Sequence, residues 1–430
     1  MKKIFRYAVF PLVLIMVPGF ALAQSTVHHT LNSLCKKADK TAEQIKISAA
    51  DLYIAKQDKK RALAALIPRV DAYGSHSDYM EEDFRNQDTT TYGVRMTQSF
   101  TINGKELIAY SASKRTIEQN EFALKRVKSD HLLQVALGYF DTLSAKRLLE
   151  IAQADVERLE AHRISVREKL NVGSVTKTDL YRVEAELSKS KTDRVVAENR
   201  IRQSKAQLVQ MAGVEKDFSI SENDVPNELK NFKADLVTIQ SAARENRYEI
   251  KEAEKALEVA KSAVKLKRGD YWPTLNLEAG YRDSEMTDEN DITTESDSGY
   301  VSAELGFTLF DGGLRGAELR QAKANVRKAR ENFSMAKKNI NLQSEVSFLE
   351  FETTQKTLIN LQDELKSAEE NFKAVSMQFK YGMADSIDMM DANTLLVTAQ
   401  RRISSARYAY YQASLRLIHI QGNLIEFLLG

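Results

Sequence analysis

From Gly104 to residue 170 the chain holds no proline and, past its first residue, a single glycine, Gly138; residues 317–381 hold neither. Proline removes a backbone donor and clashes with the preceding helical turn, so runs without it can stay helical from end to end. At 1.5 Å per residue, nearly 70 residues of helix reach about 100 Å. No compact domain houses such an element, and it has to pack lengthwise against others of its kind. One seam is visible: Ala322, Val326, Ala329, Phe333, Ala336 and Ile340 recur in alternating steps of four and three, the a/d pattern of a coiled coil. Lys323, Arg327, Lys328 and Arg330 fill other faces. An ordinary bundle core shows a broader apolar face. This narrow seam leaves much of the circumference wettable, as the wall of a water-filled tube requires.

The whole chain has 5 prolines in 430 residues, where average usage gives about 20. Pro11 and Pro18 lie near the N-terminus, leaving Pro68, Pro226 and Pro273 for the rest. Such scarcity argues against disorder and against a β-fold rich in Pro-containing turns. No apolar run of about 20 residues follows the N-terminus, which excludes a helical membrane protein. One Cys excludes a disulfide framework or a Cys-based metal site. Residues 1–23 combine Lys2, Lys3 and Arg6 with an apolar stretch and Ala21-Leu22-Ala23, the pattern of a signal peptide cut before Gln24. Losing those three cations takes the formal net charge from +2 to −1. Nothing in this balance points to nucleic acid, and the chain reads as exported from a Gram-negative bacterium.

The chain also repeats itself. Pro68 sets against Pro273 at an offset of 205, while Gly104/Gly313, Lys114/Lys323, Gly173/Gly382 and Asp179/Asp388 all differ by 209. Four residues are therefore inserted between the Pro and Gly markers of the second half. Each half predicts a charged helical run (about 36–66 and 233–268), a proline, two strands, a long helix (about 104–170 and 313–380), a Gly turn and a return helix (about 175–211 and 385–421). The domains read as 24–211 and 233–430, joined by 212–232 midway along the tube. The return pieces 175–211 and 233–268 are each about half as long as the outgoing run 104–170, and together they cover the same distance.

The strands alternate with period two. Tyr92, Val94, Met96, Phe100 and Ile102 share one face, interrupted by Gln98; Leu275, Leu277, Ala279 and Tyr281, and Val301, Ala303, Leu305, Phe307 and Leu309, do likewise. The 69–78 strand alternates poorly. Lipid on one face and a polar lumen on the other would produce this pattern, as would a small soluble sheet with one face on a core. Four strands cannot close a barrel, and an open edge in lipid leaves backbone groups unsatisfied. Two, three or four pooled copies would give 8, 12 or 16 strands. The loops at 78–91 and 284–298 carry Glu81, Glu82, Asp83 and Asp88, and Glu285, Asp288, Glu289, Asp291, Glu295 and Asp297, and suit an external rim. Trp272, beside Tyr271 and Pro273, suits a membrane-interface belt or simple packing.

With Pro68 and Pro273 before strands, Gly104 at the exit from the first strand pair, Phe310-Asp311-Gly312-Gly313 at the passage into the second long helix, and the turns LNVGSVTKTDL (170–180) and KYGMADSIDMMDA (380–392), the sequence resembles the TolC family of outer-membrane efflux and type I secretion channels. The resemblance covers essentially the whole mature chain. It implies a mainly α fold with a small β part: long antiparallel coiled-coil helices forming a periplasmic α-barrel, and four transmembrane strands per chain contributing to a shared 12-stranded β-barrel. It further implies a homotrimer that docks to a periplasmic adaptor (membrane fusion) protein and to an inner-membrane pump or ABC-type secretion ATPase, exporting drugs, small molecules or secreted proteins passively.

The same resemblance implies that the helix turns close the periplasmic end. Asp388 and Asp391 match the aspartates that ring its narrowest point, with Asp179 as the first-repeat counterpart of Asp388. Spacing alone leaves these acids as helix caps. Arg182 stands where Asp391 falls in the second repeat and suits a pair with an acid that holds the tip shut. Val172, Gly173, Ser174, Val175, Tyr381, Gly382, Met383 and Ala384 at the tips are the expected adaptor contact. No catalytic constellation or phosphate-binding loop is present, so no enzyme and no cofactor is expected. His28-His29 lacks a third ligand, so no metal is expected either. The competing reading is a soluble periplasmic coiled-coil adaptor or scaffold, which needs the helices but no lipid-facing strands.

Overall fold

The computed structural model describes residues 27–79, 87–287 and 292–430. The expected signal segment and its cleavage point, and the loop acids Glu81, Glu82, Asp83, Asp288, Glu289 and Asp291, lie outside the described residues. A short β1 (Val27–His28) leads into α1 (Leu31–Thr41), α2 (Glu43–Ala64), strands β2 (Arg69–Tyr79) and β3 (Gln87–Thr101), and α3 (Lys105–Asn171), which returns as α4 (Lys177–Ala212). A joining stretch holds β4 (Phe218–Ser219), a 3-10 turn (Glu222–Asp224) and α5 (Asn227–Lys230). The plan then recurs: α6 (Leu236–Asn246), α7 (Tyr248–Gly269), β5 (Thr274–Thr287), β6 (Thr293–Gly306), α8 (Leu314–Lys380), α9 (Ser386–Ile420) and a final α10 (Leu424–Leu429).

The fold is mainly helical with a small β part. Corresponding helices have equal lengths: 11 residues in α1 and α6, 22 in α2 and α7, and 67 in α3 and α8. The strands form one antiparallel sheet in the order β2-β3-β5-β6. Arg69 lies opposite Thr97 in the first hairpin and Thr274 opposite Gly306 in the second. The offset is thus 205 on the first strand of each hairpin and 209 on the second, which puts the four extra residues at the far end of the second hairpin.

Away from the sheet the helices form a wall. Near the strands α3 packs between α2 and α7, and toward the other end between α4 and α9; α8 runs beside α7 and then α9. Ion pairs stitch the neighbours together, such as Arg126–Glu252 at 2.7 Å and Lys255–Glu118 at 2.8 Å between α3 and α7, and Lys191–Glu160 at 3.1 Å between α4 and α3. These pairs range from part-buried to exposed, and exposed ones contribute about 0–1 kcal/mol each. The apolar seam holds: Ala322 and Ile340 are buried and the four seam residues between them half-buried. The main core is a belt midway along α3, where Leu132, Val135, Tyr139 and Phe140 meet Leu31 and Leu34 of α1, Leu208 of α4, Leu415 and Leu417 of α9 and Leu424 and Leu428 of α10. Gly138 lies in this belt. A Cβ there would stand 2.6 Å from the Met211 methyl carbon, so the glycine lets α4 approach closely. Cys35 is buried in the same belt, and burial pushes its thiol up to about 12.

Several expectations need correction. Neither 36–66 nor 233–268 is one helix: the first breaks at Ala42 (φ −60°, ψ 125°) and the second at Arg247 (φ −61°, ψ 126°), equivalent positions 205 apart. No Gly or Pro marks either break. Packing makes it, because α1 is drawn onto the belt while α2 follows α3, and because the buried Arg247 guanidinium donates to His419 Nδ1 and to the His419 carbonyl, both at 2.9 Å. β6 stops at Gly306, leaving Phe307 and Leu309 outside it. Its counterpart β3 continues to Thr101 because β5 pairs along it, Thr101 opposite Thr274, whereas β6 is an edge. The strands also run further into the expected loops, β3 starting at Gln87 and β5 reaching Thr287. The helix α10 has no counterpart in the sequence reading.

Candidate functional site: the helix tips and the open-edged sheet

Both tips are built alike. α3 ends with Gly173 at φ +74°, where Ser174 N–H donates to the Lys169 carbonyl (2.9 Å); α8 ends with Gly382 at φ +77°, where Met383 N–H donates to the Gln378 carbonyl (2.8 Å). These are left-handed caps, which glycine enters without a steric penalty. Nothing lies within 4 Å of a Cβ at either glycine, so conformation alone selects it. The return helices open with capping boxes. Thr176 and Asp179 exchange bonds at the start of α4: Thr176 N–H donates to Asp179 Oδ2 (2.8 Å) and Asp179 N–H to Thr176 Oγ1 (3.3 Å). Asp385 and Asp388 do the same for α9, Asp385 N–H to Asp388 Oδ2 (3.1 Å) and Asp388 N–H to Asp385 Oδ1 (2.9 Å). The bonds from Thr176 hold the Asp179 carboxyl below the usual range, with Arg182 adding a smaller pull.

The aspartates therefore divide. Asp179 and Asp388 cap helices. Asp391 is exposed and, among the described residues, its carboxylate takes no hydrogen bond or ion pair within its chain. Asp388 and Asp391 share an exposed stripe of α9 with Leu395 and Thr398. Arg182 is exposed too and makes no ion pair among the described residues. The turn residues divide as well. Val172 (76%), Tyr381 (72%) and Met383 (72%) are strongly exposed, and Ser174 is exposed beside them. Val175 and Ala384 instead pack inward on a small core of Val166, Val183 and Phe379.

Behind the turns the sequence hides a buried polar lock. His162 Nε2 lies 3.0 Å from Ser386 Oγ, and its ring meets Phe379 edge-on at 4.8 Å. Lys169 stands 3.9 Å over the Phe379 ring and donates to its carbonyl. Burial pushes the His162 pKa down; the hydrogen bond to Ser386 opposes this in part, and Lys169 adds a smaller downward pull. Further along, Asp155 of α3 accepts from Ser190 Oγ of α4 (2.6 Å) and from Asn393 Nδ2 of α9 (2.8 Å), and Arg158 donates to Asn393 Oδ1 (2.9 Å). Four side chains thus tie three helices just inside the tip. Tyr181, 65% exposed on α4, also belongs to the tip surface. Nothing in a helical pattern singles these residues out, since they meet only in space.

At the other end the sheet sorts its faces. Residues directly opposite in the register share a face: Val70, Met96, Ala279 and Val301 in one row, and Phe100, Leu275 and Leu305 in another. Many are exposed, Val301 at 84% and Val70 at 65%. The reverse face carries Arg69, Asp71, Arg95, Glu278, Arg282 and Glu304. Toward the hairpin ends the apolar face turns acidic, at Asp78, Asp88, Asp283, Glu285, Glu295 and Asp297. Gln98, the interruption in the pattern, lies at the helical end, where its Nε2 donates to the Ala65 carbonyl (3.1 Å). Trp272 lines a hollow with Thr101, Thr274 and Gly306, residues of the polar-face rows.

The passages from sheet to helix use different chemistry at equivalent places. Gly104 (φ +71°) and Gly313 (φ +87°) both stand at the N-caps, with Gly312 also left-handed at φ +70°. Glu106 of α3 reaches back to Thr101 N–H (3.0 Å), whereas Asp311 accepts from the N–H groups of Gly313 (3.0 Å) and Arg315 (2.9 Å) from ahead of α8. Pro68 and Pro273 each directly precede a strand pair, one residue before Arg69 and Thr274. His28 is used structurally, 2.8 Å from Asp224 Oδ2, and His29 lies 3.3 Å from Ser33 Oγ. Among the described residues no helix is long and apolar enough to cross a membrane, and no group of three or more His, Cys, Asp or Glu is placed to hold a metal.

A family model described as outer membrane efflux protein matches residues 34–214 and 239–423. The outer membrane protein TolC of Escherichia coli is 22% identical over 404 residues, 89% of this chain and 80% of the relative. The proteases secretion protein PrtF of Dickeya chrysanthemi is 22% identical over 377 residues, 84% of this chain and 81% of the relative. Among solved structures, the Campylobacter jejuni CmeC outer membrane channel superposes with a TM-score of 0.81 at 16% identity, covering 98% of this chain and 94% of that one, which shows a common fold. Matched along both halves, and built on the same long-helix and four-strand plan, the chain belongs to the outer membrane efflux protein family, a family of channels and not of enzymes.

Proposed function

We propose that three copies of this chain pool their strands into one 12-stranded barrel in the outer membrane and their helices into a periplasmic tube, forming a passive export duct. The carrying observation is the sheet: four strands, apolar on one face and charged on the other, with β2 and β6 left as open edges. Lipid tolerates no open edge, so closure requires further copies. A barrel of that size leaves an aqueous channel rather than a side-chain-filled core. The acidic ends of the strands suit the outer rim. Energy comes from partners: a periplasmic adaptor met by Val172, Ser174, Tyr381, Met383 and Tyr181 at the tips, and an inner-membrane pump or ABC-type secretion ATPase. The cargo class is drugs, small molecules or secreted proteins.

At the closed tip Asp391 is the acid free to form a ring of three charges, with Asp388 beside it partly committed to its cap and Asp179 committed to the first-repeat cap. Rings of carboxylates favour cations and hold multivalent ones. In planar lipid bilayers the purified protein is expected to conduct ions and to be blocked from the periplasmic side by a trivalent cation. Asp391→Ala is expected to raise the half-blocking concentration about tenfold, equivalent to 1.4 kcal/mol. Absence of any conductance would overturn the channel, and unchanged block in Asp391→Ala would remove this residue from the constriction.

A further inference from the structure

The internal duplication contains a template for how copies meet. Within the chain the two hairpins join through β3 and β5, with Phe100 opposite Leu275 and Thr97 opposite Glu278. β3 corresponds to β6 at an offset of 209, and β5 corresponds to β2 at 205. Replacing each residue by its counterpart converts this internal junction into one between β6 of one copy and β2 of the next. Phe100 becomes Leu309 and Leu275 becomes Val70; Thr97 becomes Gly306 and Glu278 becomes Tyr73. Strand directions alternate through β2-β3-β5-β6, so a following β2 continues the antiparallel order head to tail. Resting on the pooled-barrel reading above, we propose that β6 binds β2 of a second copy in this register, Leu309 opposite Val70 and Gly306 opposite Tyr73, and that β6 lengthens to Phe310 on assembly.

Three features support the register. Residues 98–101 of β3 are strand with β5 alongside them, while the equivalent 307–310 lack a neighbour on the outer side, are not strand, and leave Leu309 and Phe310 each 85% exposed. Just past the sheet, Ile102 N–H donates to the Pro273 carbonyl at 3.1 Å; the equivalent bond between copies runs from Asp311 N–H to the Pro68 carbonyl. The side chains also fit. Tyr73 already lies over Gly93, its hydroxyl 2.7 Å from where a Cβ would stand, and the register gives it a second glycine, Gly306, on its other side. On the apolar face Leu305 meets Gly74, and Phe307 meets Ala72. A slip of two residues would oppose Leu309 to Ala72 or Pro68.

Paired cysteines test this. The single native Cys35 is fully buried and stays out of the reaction. Directly opposite antiparallel residues have Cα atoms about 4.5–5.5 Å apart, inside the disulfide range, and a slip of two moves the partner about 7 Å away. Leu309→Cys combined with Val70→Cys is expected to oxidise into linked chains on denaturing gels about tenfold more than Leu309→Cys with Ala72→Cys or with Pro68→Cys. Gly306→Cys with Tyr73→Cys is expected to link as well, which covers the case that one pair disturbs folding. Strongest linking of Leu309→Cys to Ala72→Cys or Pro68→Cys overturns the register. If no pair links while an amine-reactive reagent traps wild-type multimers, the β6–β2 junction is wrong and the pooled reading stands. If that reagent traps only single chains, the pooled reading falls and takes the register with it.

Discussion

His162 shows what a single residue does at the tip. Its imidazole is buried between α3 and α9 against Ser386 and Phe379, with Lys169 as the nearby cation, and both burial and Lys169 lower its pKa below 6.5. A group depressed in this way binds protons more readily when its surroundings open, so the closed packing is favoured above pH 6.5 and weakened as pH falls through the lower folded value. Amide exchange of the 384–395 segment, corrected for intrinsic rates, is therefore expected to speed up between pH 7 and 5 in the wild type. His162→Gln is expected to flatten that dependence while keeping a hydrogen-bonding group toward Ser386; identical pH profiles in the two proteins would contradict this role. Sequence showed the turns at this scale, because Gly173 and Gly382 mark left-handed caps, but it did not separate the acids. Asp388 and Asp391 look alike on a helix start, and only the bonds to Asp385 show that one of them caps the helix. Val175 and Ala384 were expected on the contact surface. They face inward because the turn that exposes Val172 and Tyr381 brings the next residues over Phe379.

At the scale of elements, α3 and α8 were legible for a plain reason: a run with nothing to stop it stays helical, and the Gly at each end sets its length. The seam from Ala322 to Ile340 was legible too, since helix-on-helix packing is periodic. The breaks at Ala42 and Arg247 were not, because they have no breaker and arise from the belt pulling α1 and α6 off the line of α2 and α7. The end of β6 is not legible for the same kind of reason, since a strand needs a neighbour as well as an alternating sequence. The belt itself assembles from elements far apart in the chain, α1, α3, α4, α9 and α10 among them, so no local pattern announces it. Its weight can be measured. Phe140 is fully buried, with its ring 5.4 Å from those of Tyr139 and Tyr411, and Phe140→Ala is expected to cost about 3–5 kcal/mol. That loss should appear as a lower urea midpoint by circular dichroism; a change under about 1 kcal/mol would show that the belt is not where the wall gains its stability.

For the molecule as a whole, duplication explains more than any motif. One unit of two helices, a hairpin, a long helix and a return helix is used twice, and the sheet it yields is still open at both edges. Both halves close their tips with the same left-handed glycine and the same capping box, and both enter the long helix through a left-handed glycine. They differ at the far end of the hairpin, where four residues are added, and in whether the carboxylate that steadies the helix start comes from inside the helix (Glu106) or ahead of it (Asp311). An outer-membrane protein built this way is unfinished alone. The most direct measurement is the native mass of the detergent-extracted protein. A single species of three chains, which supplies twelve strands, is expected; a monomer, or a stable assembly with any other copy number, would contradict the pooled barrel.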